Sequence, residues 1–134
     1  MCCSDGRWHA QLEEFLRKTV SDRADLYAVP GGPVALSVWS SSFDEANVAE
    51  KSFRFLVEHH DLRSVWLIAH ADCAYYRHKY HPHDAQFQAK RQLDDLKRSR
   101  ETILRWYPQL DVQQVFARLN QDRVVFSILK PATW

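Results

Sequence analysis

The stretch Ser64-Val65-Trp66-Leu67-Ile68-Ala69-His70-Ala71-Asp72-Cys73 decides the fold. From Val65 to Ala69 it is continuously apolar, with no polar residue at any alternate position. A strand of that kind has both faces covered, which is the habit of a central parallel strand between layers of helices. In open α/β sheets ligands collect in the crevice beyond the carboxyl ends of the strands, and this strand delivers His70 and Cys73 there.

Outward from this strand the chain reads as alternating helix and strand. On the N-terminal side, Ser42-Phe43-Asp44-Glu45 has the pattern of a capping box. Phe43, Ala46, Ala49, Phe53, Leu56 and Val57 then recur with helical period to about His60. Leu26 to Val29 is a short apolar run closed by Pro30-Gly31-Gly32-Pro33, which predicts a short strand, a turn and then a loop. Trp8, Leu12, Phe15, Leu16 and Val20, with Glu13, Glu14, Arg17 and Lys18 between them, predict an amphipathic helix ending near Ser21. On the C-terminal side a long helix is expected from about Asp84 to Tyr107, with Phe87, Leu93, Leu96, Ile103, Leu104 and Tyr107 inward. The charges at Lys90, Arg91, Asp94, Asp95, Lys97, Arg98, Arg100 and Glu101 are read as its solvated face. Val112–Arg118 and Arg123–Leu129, around Leu119-Asn120-Gln121-Asp122, form a closing strand pair.

The expected fold class is therefore α/β, one domain over residues 1–134, with a mainly parallel central sheet flanked by helices and a strand pair at the C-terminus. With 134 residues, 46% of them hydrophobic, the chain can bury one core and has no room for two ordinary domains. A net charge of +1, from 18 basic and 17 acidic residues, leaves no electrostatic footprint for nucleic acid or an anionic membrane. A small-molecule partner is expected. No apolar run approaches the ~20 residues of a membrane span and no secretory signal pattern stands at the N-terminus, so a cytoplasmic location is expected. Three cysteines make an odd count, which argues against a disulfide framework and for metal binding or chemistry in a reducing compartment.

The chemistry lies in a split constellation. Cys3-Ser4-Asp5-Gly6-Arg7 at the start and His70-Ala71-Asp72-Cys73 after the central strand together offer two thiolates and one imidazole. That donor set suits Zn²⁺, and three protein ligands leave the fourth tetrahedral position open for water or a displaceable group. Asp5 and Arg7, two and four residues past the first thiolate, add a carboxylate and a guanidinium.

These residues resemble the β-class carbonic anhydrases, whose signature is C-x-D-x-R followed some tens of residues later by H-x-x-C at the end of a buried strand. The order of elements is similar over nearly the whole chain. By motif position the resemblance implies that Cys3, His70 and Cys73 are the zinc ligands and that Asp5 and Arg7 are the catalytic pair. It also implies hydration of CO₂ to bicarbonate at the metal, and a homodimer or higher homo-oligomer. At such a site zinc would lower the pKa of bound water toward ~7, Asp5 would accept its hydrogen bond, and Arg7 would hold Asp5 ionised. Released by Arg7, Asp5 would instead become a fourth ligand and close the site.

Four departures qualify the resemblance. Only Met1 and Cys2 precede Cys3, so either the true start lies upstream of this Met1 or the apolar strand that carries the first cysteine is truncated, and the N-terminal helical arm that wraps a partner is expected to be missing. Ala28-Val29-Pro30-Gly31 stands where many members read Arg-Asn-Ala-Gly, and Ala74 replaces the glycine after H-x-x-C. Two other classes of function stay open at this point. One is a non-enzymatic or degenerate zinc-binding homologue with a structural or regulatory role, and the other is a thiol enzyme using Cys3 or Cys2 with His70 as base. Strand alternation turns Cys2 away from the side of Cys3. His78, His81 and His83 are a conceivable second metal cluster, read more simply as an exposed loop around Pro82.

Overall fold

The computed structural model of the protein describes residues 1–21, 23–37 and 41–130. Its strands and helices, in chain order, are β1 (Cys2–Cys3), α1 (His9–Thr19), β2 (Ala28–Val29), α2 (Phe43–His59), β3 (Ser64–His70), α3 (Ala74–Lys79), α4 (Ala85–Trp106), β4 (Asp111–Asn120) and β5 (Arg123–Ile128). The five strands form one sheet in the order β2-β1-β3-β4-β5. All pairs are parallel except β4 with β5. The expected α/β class, parallel centre and antiparallel closing pair are all present.

β3 is central, as its continuous apolar run requires. Val65, Leu67 and Ala69 face Ala49, Phe53 and Val57 of α2 and Leu96 and Ile103 of α4. Ile68 turns to the other face, against Leu12 of α1, Cys2 and Val115. The run is thus apolar at every position because helices cover both sides. Its register with β4, from Ser64 opposite Asp111 to His70 opposite Ala117, carries the pairing to the strand's last residue.

β1 is two residues long and is hydrogen-bonded on both sides. Cys2 N–H donates to Tyr27 C=O at 3.0 Å, Ser4 N–H to Val29 C=O at 3.0 Å, and Ile68 N–H to Met1 C=O at 2.9 Å. Gly32 lies directly against this stub. A Cβ there would come within 2.6 Å of Cys3 N and 2.7 Å of the Cys2 carbonyl carbon, and its φ of +59° is one that favours glycine.

The helices follow their signals, with corrections. The capping box at α2 is present: Glu45 N–H donates to Ser42 Oγ at 3.2 Å, and Ser42 N–H donates to Glu45 Oε2 at 2.9 Å. Phe43, counted into the apolar stripe, is instead 84% exposed, because the first residue of the helix lies beyond the sheet it would need to cover. The loop expected after Pro33 begins as a 3₁₀ turn over Gly32–Leu36 in which every residue is buried, so no polar alternation marked it; residues 38–40 of that loop lie outside the described residues. The six-residue α3 is too short to show a period and escapes sequence reading. The solvated face assigned to α4 is also wrong at Asp95, which is 1% exposed. Asp95 accepts hydrogen bonds from Ser37 Oγ at 2.9 Å and Tyr76 OH at 2.8 Å, because the polar residues Gln92, Asp95 and Ser99 of α4 pin the 3₁₀ turn, α3 and the end of β3. Among the described residues no helix is long and apolar enough to cross a membrane.

Candidate metal centre

Three elements end at one point. Cys3 is the last residue of β1, His70 the last of β3, and Cys73 the residue immediately before α3. All three side chains are buried, and their candidate ligand atoms lie within 4.8 Å of one another. The two Sγ atoms are 3.8 Å apart.

His70 Nδ1 lies 2.8 Å from the Ala71 carbonyl. A carbonyl only accepts, so Nδ1 carries the proton and Nε2 presents its lone pair. That Nε2 is buried with no hydrogen-bond partner. A buried, unpartnered acceptor is costly, and this one shares a pocket with two sulfur ligands. Gln92 Nε2 donates to the His70 carbonyl at 2.8 Å, and the Trp8 ring packs on the imidazole at 4.9 Å between centroids. Both contacts fix where the ring sits, and neither was anticipated from the sequence, where Trp8 counted as part of a helical stripe.

The two thiols behave as a pair. Cys3 is pulled well below the ordinary thiol range, first by its hydrogen bond with Cys73 and then by the amides of Asp5 and Gly31, against the opposing effect of burial. Cys73 is pushed up by the same hydrogen bond, by burial and by the charge on Cys3. Two sulfurs 3.8 Å apart in a buried site ionise together only at a high electrostatic cost. A divalent cation is the species that would let both sulfurs ionise together, so the donor set, its spacing and the orphaned Nε2 fit a metal ion of the zinc type.

Asp5 and Arg7 flank these ligands. Arg7 Nε donates to both Asp5 oxygens at 3.1 and 3.0 Å, and a terminal Arg7 nitrogen donates to Asp5 Oδ2 at 2.7 Å. Arg7 N–H also donates to Asp5 Oδ1 at 3.1 Å, so Asp5 caps the short turn Gly6–Trp8 that carries Arg7. Arg7 holds the Asp5 carboxyl down at about 2. Asp5 Oδ2 is 3.9 Å from His70 Nε2, close to the ligands without touching them. Asp72 accepts from both Arg7 and Arg77.

The site opens into a depression of about 570 Å³ lined by Cys3, Asp5, Arg7, Pro30, Tyr75 and Arg77, among others. Cys2 faces the opposite side of the sheet among Leu12, Ile68 and Val115, as strand alternation requires, and takes no part. His78, His81 and His83 are all exposed and do not assemble: among the described residues, Cys3, His70 and Cys73 form the one group of three such side chains able to hold a metal ion. A second cavity, of about 330 Å³, lies around Ser64 at the far end of β3 and carries no comparable cluster.

A mainly parallel α/β sheet with a Cys–His–Cys cluster at its strand ends defines the class of protein: an α/β domain with a candidate metal centre in its crevice. The chain belongs to the family described as "Putative carbonic anhydrase", whose model matches residues 1–127. Among solved structures it is similar to "The structure of the beta-carbonic anhydrase CcaA", at 14% identity and a TM-score of 0.49, with 97% of this chain and 81% of that chain covered. No curated protein matches the sequence.

Proposed function

We propose that the protein is a zinc-dependent hydratase that converts CO₂ and water to bicarbonate and a proton, with Cys3, His70 and Cys73 holding the metal and Asp5 and Arg7 as the catalytic pair. The observation that carries this reading is the buried, unpartnered His70 Nε2 beside two sulfurs, with an ionised carboxylate 3.9 Å away. Membership of the carbonic anhydrase family supports it.

Zinc bound by these residues supplies the Lewis acidity that makes a water nucleophilic near neutral pH. The chain's own residues do the rest. Asp5, kept ionised by Arg7, is an acceptor only, so it orients a hydrogen-bonding group placed before the ligands and leaves that group's other lone pairs toward substrate. Because Arg7 occupies both Asp5 oxygens, Asp5 is restrained from turning onto the ligand cluster. Pro30, Ala74 and Tyr75 give the depression apolar walls suited to an uncharged substrate, and its open mouth lets the released proton reach solvent. A homodimer and a reducing, cytoplasmic setting complete the proposal; three free cysteines support the latter.

The test is metal analysis of protein purified under reducing, chelator-free conditions, followed by stopped-flow CO₂ hydration. About one zinc per chain with hydration lost in Asp5→Ala is the expected result. Zinc without hydration would identify a degenerate zinc-binding homologue, and no zinc would overturn the metal centre.

A further inference from the structure

We infer that Asp72 is a positioning residue that holds Arg7, and through it Asp5, in the arrangement that leaves the metal position accessible. This rests on the reading of Cys3, His70 and Cys73 as metal ligands, and it concerns a residue at one of the unspecified positions of the H-x-x-C motif.

The guanidinium of Arg7 is shared between two residues. Its Nε edge is committed to Asp5, while Nη1 donates to Asp72 Oδ2 at 3.3 Å and Nη2 donates to the Asp72 carbonyl at 3.0 Å. Asp72 can present carboxylate and carbonyl to one guanidinium because its backbone is left-handed, with φ of +54°, a conformation that aspartate and asparagine tolerate better than most residues. Its other oxygen is fixed by Arg77 of α3 at 2.8 Å. Charges thus alternate along Asp5, Arg7, Asp72 and Arg77, and Asp5, Arg7 and Arg77 line the depression.

A single exposed ion pair does little to hold a side chain. Arg7 is 55% exposed, so Asp5 alone would leave its outer edge free to swing into solvent. Two further acceptors from one residue, itself tied to a helix, remove that freedom and fix the plane in which the guanidinium meets Asp5. Without Asp72, Arg7 is released on one side, Asp5 gains the freedom to turn 3.9 Å toward the ligand cluster, and the site closes.

The variants are Asp72→Gly, which keeps the left-handed backbone and removes the carboxylate, and Asp72→Asn, which keeps the shape and an acceptor. The first readout is exchange of the Arg7 Nε–H with water, followed by nitrogen-15 NMR. The second is the azide concentration that half-converts the visible spectrum of cobalt(II)-substituted protein. Asp72→Gly is expected to speed the exchange and raise the azide midpoint, each by about five-fold or more, with Asp72→Asn between it and the parent. Unchanged Arg7 exchange in Asp72→Gly overturns the inference, and so does an unchanged azide midpoint. Failure of the parent protein to bind cobalt would instead overturn the metal reading, and the Arg7 exchange would still decide whether Asp72 holds the guanidinium.

Discussion

The sulfurs of Cys3 and Cys73 lie 3.8 Å apart, one at the end of β1 and the other at the start of α3, although 70 positions separate them in sequence. They are brought together by two strands of one parallel sheet, since Cys2 pairs with Ile68 and β3 then runs to His70. Neither sulfur alone makes a site. Replacement of Cys3 or Cys73 by serine is expected to reduce bound zinc to below about a tenth of an equivalent, because the remaining thiolate and imidazole are too few ligands for a structural or catalytic site. Cys2→Ser, on the opposite face, should retain full zinc content. Atomic emission of the three purified variants checks this, and zinc loss in Cys2→Ser equal to that in Cys3→Ser would refute the assignment.

Arg7 sets the ionisation of Asp5. In metal-free protein the Asp5 carboxyl should titrate at about 2, and Arg7→Ala should return it toward the ordinary value of 3.8. The sign follows from a depressed folded-state value: the pair's contribution to stability is present above pH 3.8 and is lost as pH falls toward 2. Arg7 is exposed, so this contribution is small and the titration is the readout to use. Carbon-13 NMR of the carboxyl resonance measures it. Superimposable titrations in parent and variant would show that Arg7 does not control Asp5.

Gly32→Ala should destabilise the fold by about 2–4 kcal/mol, through the left-handed backbone and the approach of the new Cβ to backbone atoms of β1. Because those atoms belong to Cys2 and Cys3, the shift needed to admit the methyl group displaces a ligand, and zinc affinity should fall with stability. Gly6→Ala is the control: nothing lies within 4 Å of a Cβ there. Urea denaturation of both variants separates the two cases, and equal midpoints would contradict the close approach.

The parts of this fold that could be read from sequence are those whose periodicity is set by one buried face or by two. β3 announced itself because helices cover it on both sides, and α2 because its capping box and apolar spacing agree. The site was legible in type but not in assembly: Cys3, His70 and Cys73 stood out by chemistry, while the contacts of Trp8, Gln92 and Arg77 depend on tertiary placement that no local pattern carries. The misreadings have separate causes. Asp95 was assigned to solvent because a charge on a helix is usually solvated, but Ser37 and Tyr76 supply donors that make its burial tolerable. Phe43 was assigned to the core because it fits the period, but the period outruns the surface that α2 covers.

The Asp95 contact yields the last prediction. Tyr76 OH donates to Asp95 Oδ2 at 2.8 Å, and both side chains are buried. Burial and the neighbouring carboxylate push the Tyr76 hydroxyl far above the usual tyrosine range, so it remains a donor at any pH the fold survives. Tyr76→Phe removes the donor and leaves a buried carboxylate oxygen with one partner fewer, a loss of about 1–3 kcal/mol. The effect reaches the metal centre because Tyr76 lies in the first turn of α3, the helix that follows Cys73 directly, and its amide helps to stabilise the Cys73 thiolate. A second contact of this kind typically governs affinity by about 10–100-fold, and a loss toward the lower end is expected because Cys73 itself is untouched. Tyr75→Phe, whose hydroxyl has no such tie to α4, should change neither quantity. Competition with a zinc chelator, together with thermal unfolding of the metal-free proteins, distinguishes the outcomes: a Tyr76→Phe protein with lowered stability but parental zinc affinity would show that Asp95 anchors the fold without bearing on the site.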